Sequence, residues 1–418
     1  MQLLLCLFAV IFMIFCNSPE NAIYLSTQTI LLIQMWIERD YSARIKDAVK
    51  TRPVILLTGV RQAGKSTLLQ RLFPDAEYVT LDRIILAAEA KENPTMFLDR
   101  FKNQVIIDEI QYAPTLFRDL KIKVDQHRDI NGKWILTGSQ QFILMQRISE
   151  SLAGRVRILH LGTLSANELN RTDLLFNKRD MLWKGGFPEL WAERLEVKEF
   201  FEDYIQTYLE RDLKQILNVT SLWDFRRFLT MLAIRVGQLL NYSDISKELG
   251  VAVNTVKAWI GALEVSGLIT LLPPFYNNLG KRMIKTPKLY FCDNGLVCAL
   301  LNIDSLETLE KSIHLGSIWE NFVLSEYLKK GFLAGRDIFF FRDSNGVEID
   351  FILEKKGEVF LIEAKHSERP NPAKLNFRKV APLFREKVNS VVACGVEEQG
   401  LITLKDFSIY NPLRGSML

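Results

Sequence analysis

Histidine and cysteine are scarce in this 418-residue chain, which holds four of the first and five of the second. His127, His160, His314 and His366 stand singly, which argues against a histidine-rich metal site. Cys6, Cys16, Cys292, Cys298 and Cys394 form no C-x-x-C pair, so a zinc ribbon, a thioredoxin-type site and a disulfide scaffold are disfavoured. An excess of one charge is missing too. The 53 basic and 49 acidic side chains leave a net of +4, so any basic surface must be local. Repeats and low-complexity tracts are absent, and 48% apolar against 24% charged residues excludes a disordered or fibrous chain. At roughly 100–200 residues per domain, the length predicts two to four domains. Unpaired thiols make the cytoplasm the default compartment.

No apolar run reaches the roughly 20 residues that span a bilayer. Leu3–Phe15 comes closest, and Ile30–Trp36 is nearly as apolar. A secretory signal needs a basic start and a small-residue cleavage site. Met1-Gln2 has no basic side chain, and Phe15-Cys16-Asn17 is poorly suited to processing. Residues 1–34 are therefore read as an apolar extension, with Met35 as the native start. A membrane-associating segment and a signal peptide are the alternatives, and no stable membrane partner is expected.

From Val54 to Leu161, short apolar runs alternate with polar, helix-like stretches. The runs are Val54–Gly59, Tyr78–Leu81, Gln104–Ile107, Trp134–Gly138 and Val156–Leu161. That pattern predicts an α/β core, a parallel sheet covered on both faces. Directly after the first run, Gly59-Val-Arg-Gln-Ala-Gly64-Lys65-Ser66-Thr67 fits G-x-x-x-x-G-K-[ST]. The glycines let backbone N–H groups curl around phosphate oxygens, helped by the positive end of the following helix. Lys65 supplies a point charge for β- and γ-phosphates, and the Ser66 hydroxyl is a Mg²⁺ ligand. ATP and Mg²⁺ are the expected cofactors.

The run Val105-Ile-Ile-Asp108-Glu109 ends in two carboxylates. Asp108 is placed to bind the Mg²⁺ directly or through an intervening ligand, and Glu109 to polarise an attacking water. The run ending at Ser139 finishes in hydroxyls suited to sensing a γ-phosphate. Arg155 is either a charge-stabilising finger, within one chain or between chains, or a surface partner for a carboxylate.

These blocks resemble bacterial and archaeal AAA-type ATPases with a C-terminal DUF4143 domain. The resemblance rests on Gly59–Thr67, Val105–Gln111, Leu136–Gln141, Leu152–Val156, Gly185-Gly-Phe-Pro-Glu-Leu190 and Tyr208-Leu-Glu-Arg-Asp212. It extends to Lys288-Leu-Tyr-Phe-Cys-Asp-Asn-Gly295, Trp319-Glu-Asn-Phe322, Glu348-Ile-Asp-Phe351 and Ile362-Glu-Ala-Lys365. It covers about residues 36–410, and similar proteins begin near Met35. It implies ATP binding and hydrolysis, a helical lid, a winged-helix module and a restriction-nuclease-like end. The expected organisation is a core over 35–175, a lid over 176–240, a winged-helix-like module over 241–285 and a nuclease-like domain over 286–418. Ring-shaped homo-oligomers are common in this class, by analogy only.

In the middle module, Ser243 is read as the cap of a short helix stopped at Gly250, with a second helix over Thr255–Ser266 and a wing strand at Leu268–Leu272. Lys247 and Lys257 stand against Asp244, Glu248 and Glu264 there. Duplex binding relies on lysine and arginine neutralising phosphates. A structural or autoinhibitory role is therefore favoured over DNA reading.

Towards the C-terminus, Asp350 ends one apolar run and Glu363-Ala364-Lys365 ends the next. In a strand, residues i and i+2 share a side, so Glu363 and Lys365 converge with Asp350. Two carboxylates can hold a hard cation while the lysine orients a water. Glu320, on a predicted helix over Gly316–Lys330, is the candidate to complete the set. The arrangement resembles the PD-(D/E)xK nucleases; two solvent-facing ion pairs, or an inactive nuclease-shaped domain, are the alternatives. From Lys365 to Lys387, seven basic residues face only Glu368 and Glu386. That cluster suits DNA or RNA, or an ordinary solvated helix face. The sequence thus predicts a Mg²⁺-dependent ATP hydrolase coupled to a nuclease-like module, or a non-hydrolysing ATP-binding switch with an inactive one.

Overall fold

The computed structural model describes residues 36–138, 152–193, 195–207, 222–275 and 285–415. The chain enters through α1 (Ser42–Thr51) and then alternates strands with helices. The elements are β1 (Val54–Gly59), α2 (Lys65–Leu72), β2 (Glu77–Thr80), α3 (Ile84–Glu92), α4 (Pro94–Asp99), β3 (Val105–Asp108), α5 (Leu116–Gln126), β4 (Trp134–Gly138) and β5 (Val156–Leu161). The five strands form a sheet in the order β2-β3-β4-β1-β5, with all pairs parallel.

Alternation along β1 builds the core on both sides. Val54 and Leu56 pack with Val105, Ile107 and Leu136 under α3, α4 and α5. Ile55 and Leu57 face the other way, with Ile106 and Ile135, against Ile45 of α1 and Leu68 and Leu69 of α2. The central strands β1, β3 and β4 are buried along their whole length. This is the near-continuous apolar pattern of a sheet covered twice.

A helical region follows: α6 (Ala166–Asn170), α7 (Asp180–Lys184), α8 (Pro188–Ala192), α9 (Val197–Tyr204) and α10 (Leu222–Ile234). Next come α11 (Tyr242–Leu249), α12 (Val253–Val265) and β6 (Ile269–Leu272). The cap of α11 is Asn241 rather than Ser243: its side chain accepts from the Ser243 and Asp244 amides at 3.0 and 3.3 Å. Gly250 ends the helix in the left-handed conformation, as its sequence position predicts.

β6 pairs antiparallel with β7 (Lys288–Phe291). The sequence reading placed that strand in the C-terminal block, at the boundary of residue 286. It pairs backwards because Leu289 and Phe291 bury into the same core as Ile269 and Leu272. β6 also leads into the C-terminal sheet, where the Phe275 amide donates to the Phe340 carbonyl at 2.7 Å.

The remaining elements are α13 (Asn294–Leu300), α14 (Leu306–Glu310), α15 (Leu315–Lys329), β8 (Ile338–Arg342), β9 (Glu348–Lys355), β10 (Glu358–Lys365), α16 (Phe377–Val380), β11 (Lys387–Cys394), β12 (Ile402–Thr403) and β13 (Ser408–Tyr410). The strands form a mixed sheet in the order β12-β13-β11-β10-β9-β8. Trp319 and Phe322 of α15 bury with Phe351, Ile362 and Ala393 on one face. Phe377 and Val380 of α16 bury with Ile352, Leu361 and Val392 on the other. Among the described residues, no helix is long and apolar enough to cross a membrane.

Candidate functional site

The first site grows out of the end of β1. Gly59 has φ +145°, and a Cβ there would stand 2.1 Å from the Leu161 carbonyl oxygen. Only glycine can leave the strand so close to β5. Gln62 (φ +63°) and Gly64 (φ +84°) are left-handed as well, and Gly64 caps α2. Lys65 is buried, and its Nζ donates to the Gly59 and Val60 carbonyls at 3.1 and 3.0 Å. Burial lowers its pKa, opposed by the nearby charges of Glu109 and Asp108.

The Ser66 hydroxyl lies 2.9 Å from both oxygens of Asp108, at the end of β3. Asp108 also accepts from the Tyr78 hydroxyl at 2.7 Å and from the Thr137 hydroxyl. Glu109 sits next in the chain in the left-handed region (φ +54°), where the Gln111 side-chain amide donates to its carboxylate. Thr67 lines an adjoining cleft of about 940 Å³ with Trp36, Ile37, Arg71 and Pro188. Hydroxyl and carboxylate oxygens at this spacing, beside a buried ammonium, are a donor set suited to Mg²⁺ and a phosphate chain.

Gly59, Gly64, Lys65, Ser66, Thr67, Asp108 and Glu109 thus gather at one end of the sheet. Arg155 does not join them, which corrects the expectation of a finger acting within its own chain. It precedes β5, level with Val54 at the start of β1. That is about 20 Å along the strands from Gly59, whose partner Leu161 lies six residues further on. Its guanidinium clasps Asp125 at 2.7 and 2.9 Å. Ser139 lies outside the described residues.

The second cluster is at the paired ends of β9 and β10. Asp350 accepts from the Ala364 amide at 2.8 Å and from Lys365 Nζ at 3.3 Å. Lys365 Nζ also reaches Glu363 at 2.7 Å. Burial and the adjacent Asp350 charge push Glu363 up to about 8. Burial alone would lower Lys365, but the charges of Asp350 and Glu363 outweigh it and hold the ammonium above its usual range.

Glu320 stands beside this set, near enough for the Asp350 charge to help raise its pKa, but Lys365 does not hold it. It accepts from Lys288 Nζ at 2.9 Å and from the Tyr290 hydroxyl at 2.5 Å. The physical reason is Lys288 itself: an ammonium only 2% exposed needs carboxylate partners, and it draws in both Glu320 and Glu348. Among the described residues, no three His, Cys, Asp or Glu side chains stand close enough together to hold a metal ion.

Three family models match the chain: an AAA domain over residues 51–170, the domain of unknown function DUF8612 over 176–307, and DUF4143 over 315–406. The uncharacterized protein Rv2008c of Mycobacterium tuberculosis is 34% identical over 352 residues, 83% of this chain and 78% of that protein. The chain belongs to the AAA-type P-loop ATPases with a C-terminal DUF4143 domain. The uncharacterized protein MJ1544 of Methanocaldococcus jannaschii is 23% identical, over 71% of each chain. Among solved structures, the Walker-type ATPase PABY2304 of Pyrococcus abyssi covers 64% of this chain and 96% of its own, at 18% identity and a TM-score of 0.39. The RuvB Holliday junction branch migration motor of Thermotoga maritima covers 57% and 90%, at 17% identity and a TM-score of 0.29.

Sequence reasoning missed several residues of this AAA–DUF4143 protein. Tyr78 and Thr137 reach Asp108 from the two strands beside β3; Thr137 belongs to the hydroxyl-bearing run that ends at Ser139, while nothing in the spacing of Tyr78 announces its contact. Lys288 and Tyr290 come from β7 of the middle region into the second cluster. Their alternation, Lys288-Leu-Tyr290, was the available signal, since both face one side of a strand. Asp293 is buried where the AAA core meets the region matched to DUF8612.

Proposed function

We propose that this ATPase is a Mg²⁺-dependent ATP hydrolase of the cytoplasm whose nucleotide state is relayed to a C-terminal module that engages DNA or RNA. The observation that carries the reading is Ser66 Oγ 2.9 Å from Asp108 at the mouth of the phosphate loop, with Glu109 alongside. In this reading, the amides of Gly59–Thr67 and the Lys65 ammonium hold the β- and γ-phosphates, and Ser66 and Asp108 hold the cation. Mg²⁺ supplies charge neutralisation of the phosphate chain. Glu109 accepts the proton of the attacking water. Lys65→Ala and Glu109→Gln are expected to abolish phosphate release; turnover unchanged in both refutes the reading.

The Gln111–Glu109 hydrogen bond favours a second reading, an ATP-holding switch, because one oxygen of the base is already engaged by a neighbour. ATP recovered intact after long incubation with Mg²⁺ and nucleic acid would support it.

For the C-terminal module, the exposed Arg369, Lys374, Lys379 and Arg385 support a polyanion partner. A nuclease site would be formed by Asp350, Glu363 and Lys365. The raised pKa of Glu363, which disfavours its charged form, favours binding without cleavage. Plasmid and single-stranded substrates incubated with Mg²⁺ or Mn²⁺, with Asp350→Ala as control, decide between them. The middle module, whose strand β7 is spent on the C-terminal cluster, is assigned a structural role. A homo-oligomer is the assembly this reading adopts, testable by size determination with and without ATP.

A further inference from the structure

Arg39 is 7% exposed and precedes every element of the sheet, yet its guanidinium lies against the phosphate loop. Nη1 donates to the Ala63 carbonyl at 2.8 Å. Nη2 donates to the Gly162 and Thr163 carbonyls at 2.6 and 3.3 Å, and Nε to Glu168 at 3.2 Å. Glu168 in turn accepts from the Asp40 amide at 2.7 Å and the Ser165 amide at 2.8 Å. Four of the five guanidinium N–H groups are thus taken by the chain's own acceptors, which leaves one Nη1–H and no bidentate fork for a phosphate.

Its effect on the loop follows from peptide geometry. A trans peptide points its C=O and the next N–H in opposite directions, and no peptide bond among the described residues is cis. With the Ala63 oxygen anchored on Arg39, the Gly64 N–H is aimed to the other side. Gly64 is left-handed, with no Cβ to restrain it, so nothing else in the residue selects that orientation.

We propose that Arg39 is a positioning residue for the phosphate loop. It fixes the Ala63–Gly64 peptide so that the Gly64 amide serves the phosphate chain, and it registers the loop against Gly162–Thr163. This rests on the nucleotide reading above. The registered segment is the one on which the C-terminal half is seated. Lys329 Nζ donates to the Leu164 carbonyl at 2.9 Å, Glu326 accepts from the Ala166 amide at 2.9 Å, and Thr163 donates to Asp293 at 2.7 Å. A shift of the loop is therefore passed through one side chain to that contact.

The test is titration of the full chain with MgATP and MgADP, beside thermal unfolding and steady-state turnover. Arg39→Lys keeps the charge and loses the fork; Arg39→Gln keeps one NH2 group and loses the charge; Glu168→Gln keeps one of the two accepting oxygens and removes the buried ion pair. Arg39→Lys is expected to weaken MgATP binding by about tenfold or more, the loss from an unmade charged hydrogen bond. Its KM for ATP should rise more than its kcat falls. Arg39→Gln should recover part of the binding through the Ala63 carbonyl. Glu168→Gln should lower the unfolding midpoint similarly while keeping affinity within about twofold. Wild-type affinity in both Arg39 variants overturns the proposal, as does an equal loss in Glu168→Gln. If the wild-type protein binds neither nucleotide, the nucleotide reading itself falls, whatever the variants do.

Discussion

The Asp293 carboxylate accepts the Thr163 hydroxyl at 2.7 Å, joining the chain just past β5 to the turn between β7 and α13. The same oxygen takes the Gly186 amide at 2.8 Å, and its partner takes the Gly295 amide at 2.9 Å. The AAA core and two separate segments of the region matched to DUF8612 therefore meet on one buried carboxylate. Burial raises its pKa, and the neighbouring Lys329 charge opposes the shift.

Removing that carboxylate leaves three donors without a partner in the interior. Asp293→Ala is expected to cost about 2–4 kcal/mol in denaturant unfolding. A loss below about 1 kcal/mol would mean that water replaces the carboxylate and the junction is not held there. Gly185→Ala should be worse tolerated, because a Cβ would stand 1.9 Å from Asp293 Oδ1.

Lys288 is the most heavily compensated charge of the C-terminal cluster. Lys288→Met strands Glu320 and is expected to destabilise by about 3–5 kcal/mol. Lys288→Met combined with Glu320→Gln should recover at least about 1 kcal/mol of that loss, since the two side chains are in contact. Strict additivity in the double variant would show that the pair is not coupled.

Glu363 gives the pH dependence. Its folded pKa of about 8 lies above the usual carboxyl value. Between about 4.3 and 8, the unfolded chain has released a proton that the folded chain retains, so stability falls as pH rises through that window. The wild-type unfolding midpoint, measured with chelator present, should drop from pH 6 to pH 9 more steeply than that of Glu363→Gln. Parallel curves would place the ionisation elsewhere.

Arg155 tests the reach of the phosphate loop. Its ion pair with Asp125 is partly exposed, so Arg155→Ala should cost no more than about 1 kcal/mol. Turnover of dilute, unassociated chains should be unchanged. Turnover lost only where the chain self-associates would place Arg155 in a neighbour's site.

Much of the core was legible because its signals are local. Val54–Gly59, Trp134–Gly138 and Val156–Leu161 are strands with the bounds read from their apolar runs. Such runs have few alternatives once they are flanked by glycine and charge. Glu363 and Lys365 share a side as strand alternation requires, but Asp350 lies near the start of β9 rather than at the end of a run, and the antiparallel register with β10 brings it to them. Position on a helix shows that Glu320 is near the cluster, not that Lys288 is the cation it serves. Lys288 lies 32 residues away in the chain and only the fold brings it into contact.

By itself, the order of residues determined the nucleotide loop, the alternating strands around it and the acid pair that closes β3. Each depends on spacings of a few residues and on the conformations glycine permits. The tertiary structure alone decided which charges meet: Arg39 on the Ala63 carbonyl, Asp293 under Thr163, and Lys288 between Glu320 and Glu348. A charge withdrawn from water must find its partner wherever packing places one, and sequence distance sets no limit on where that is.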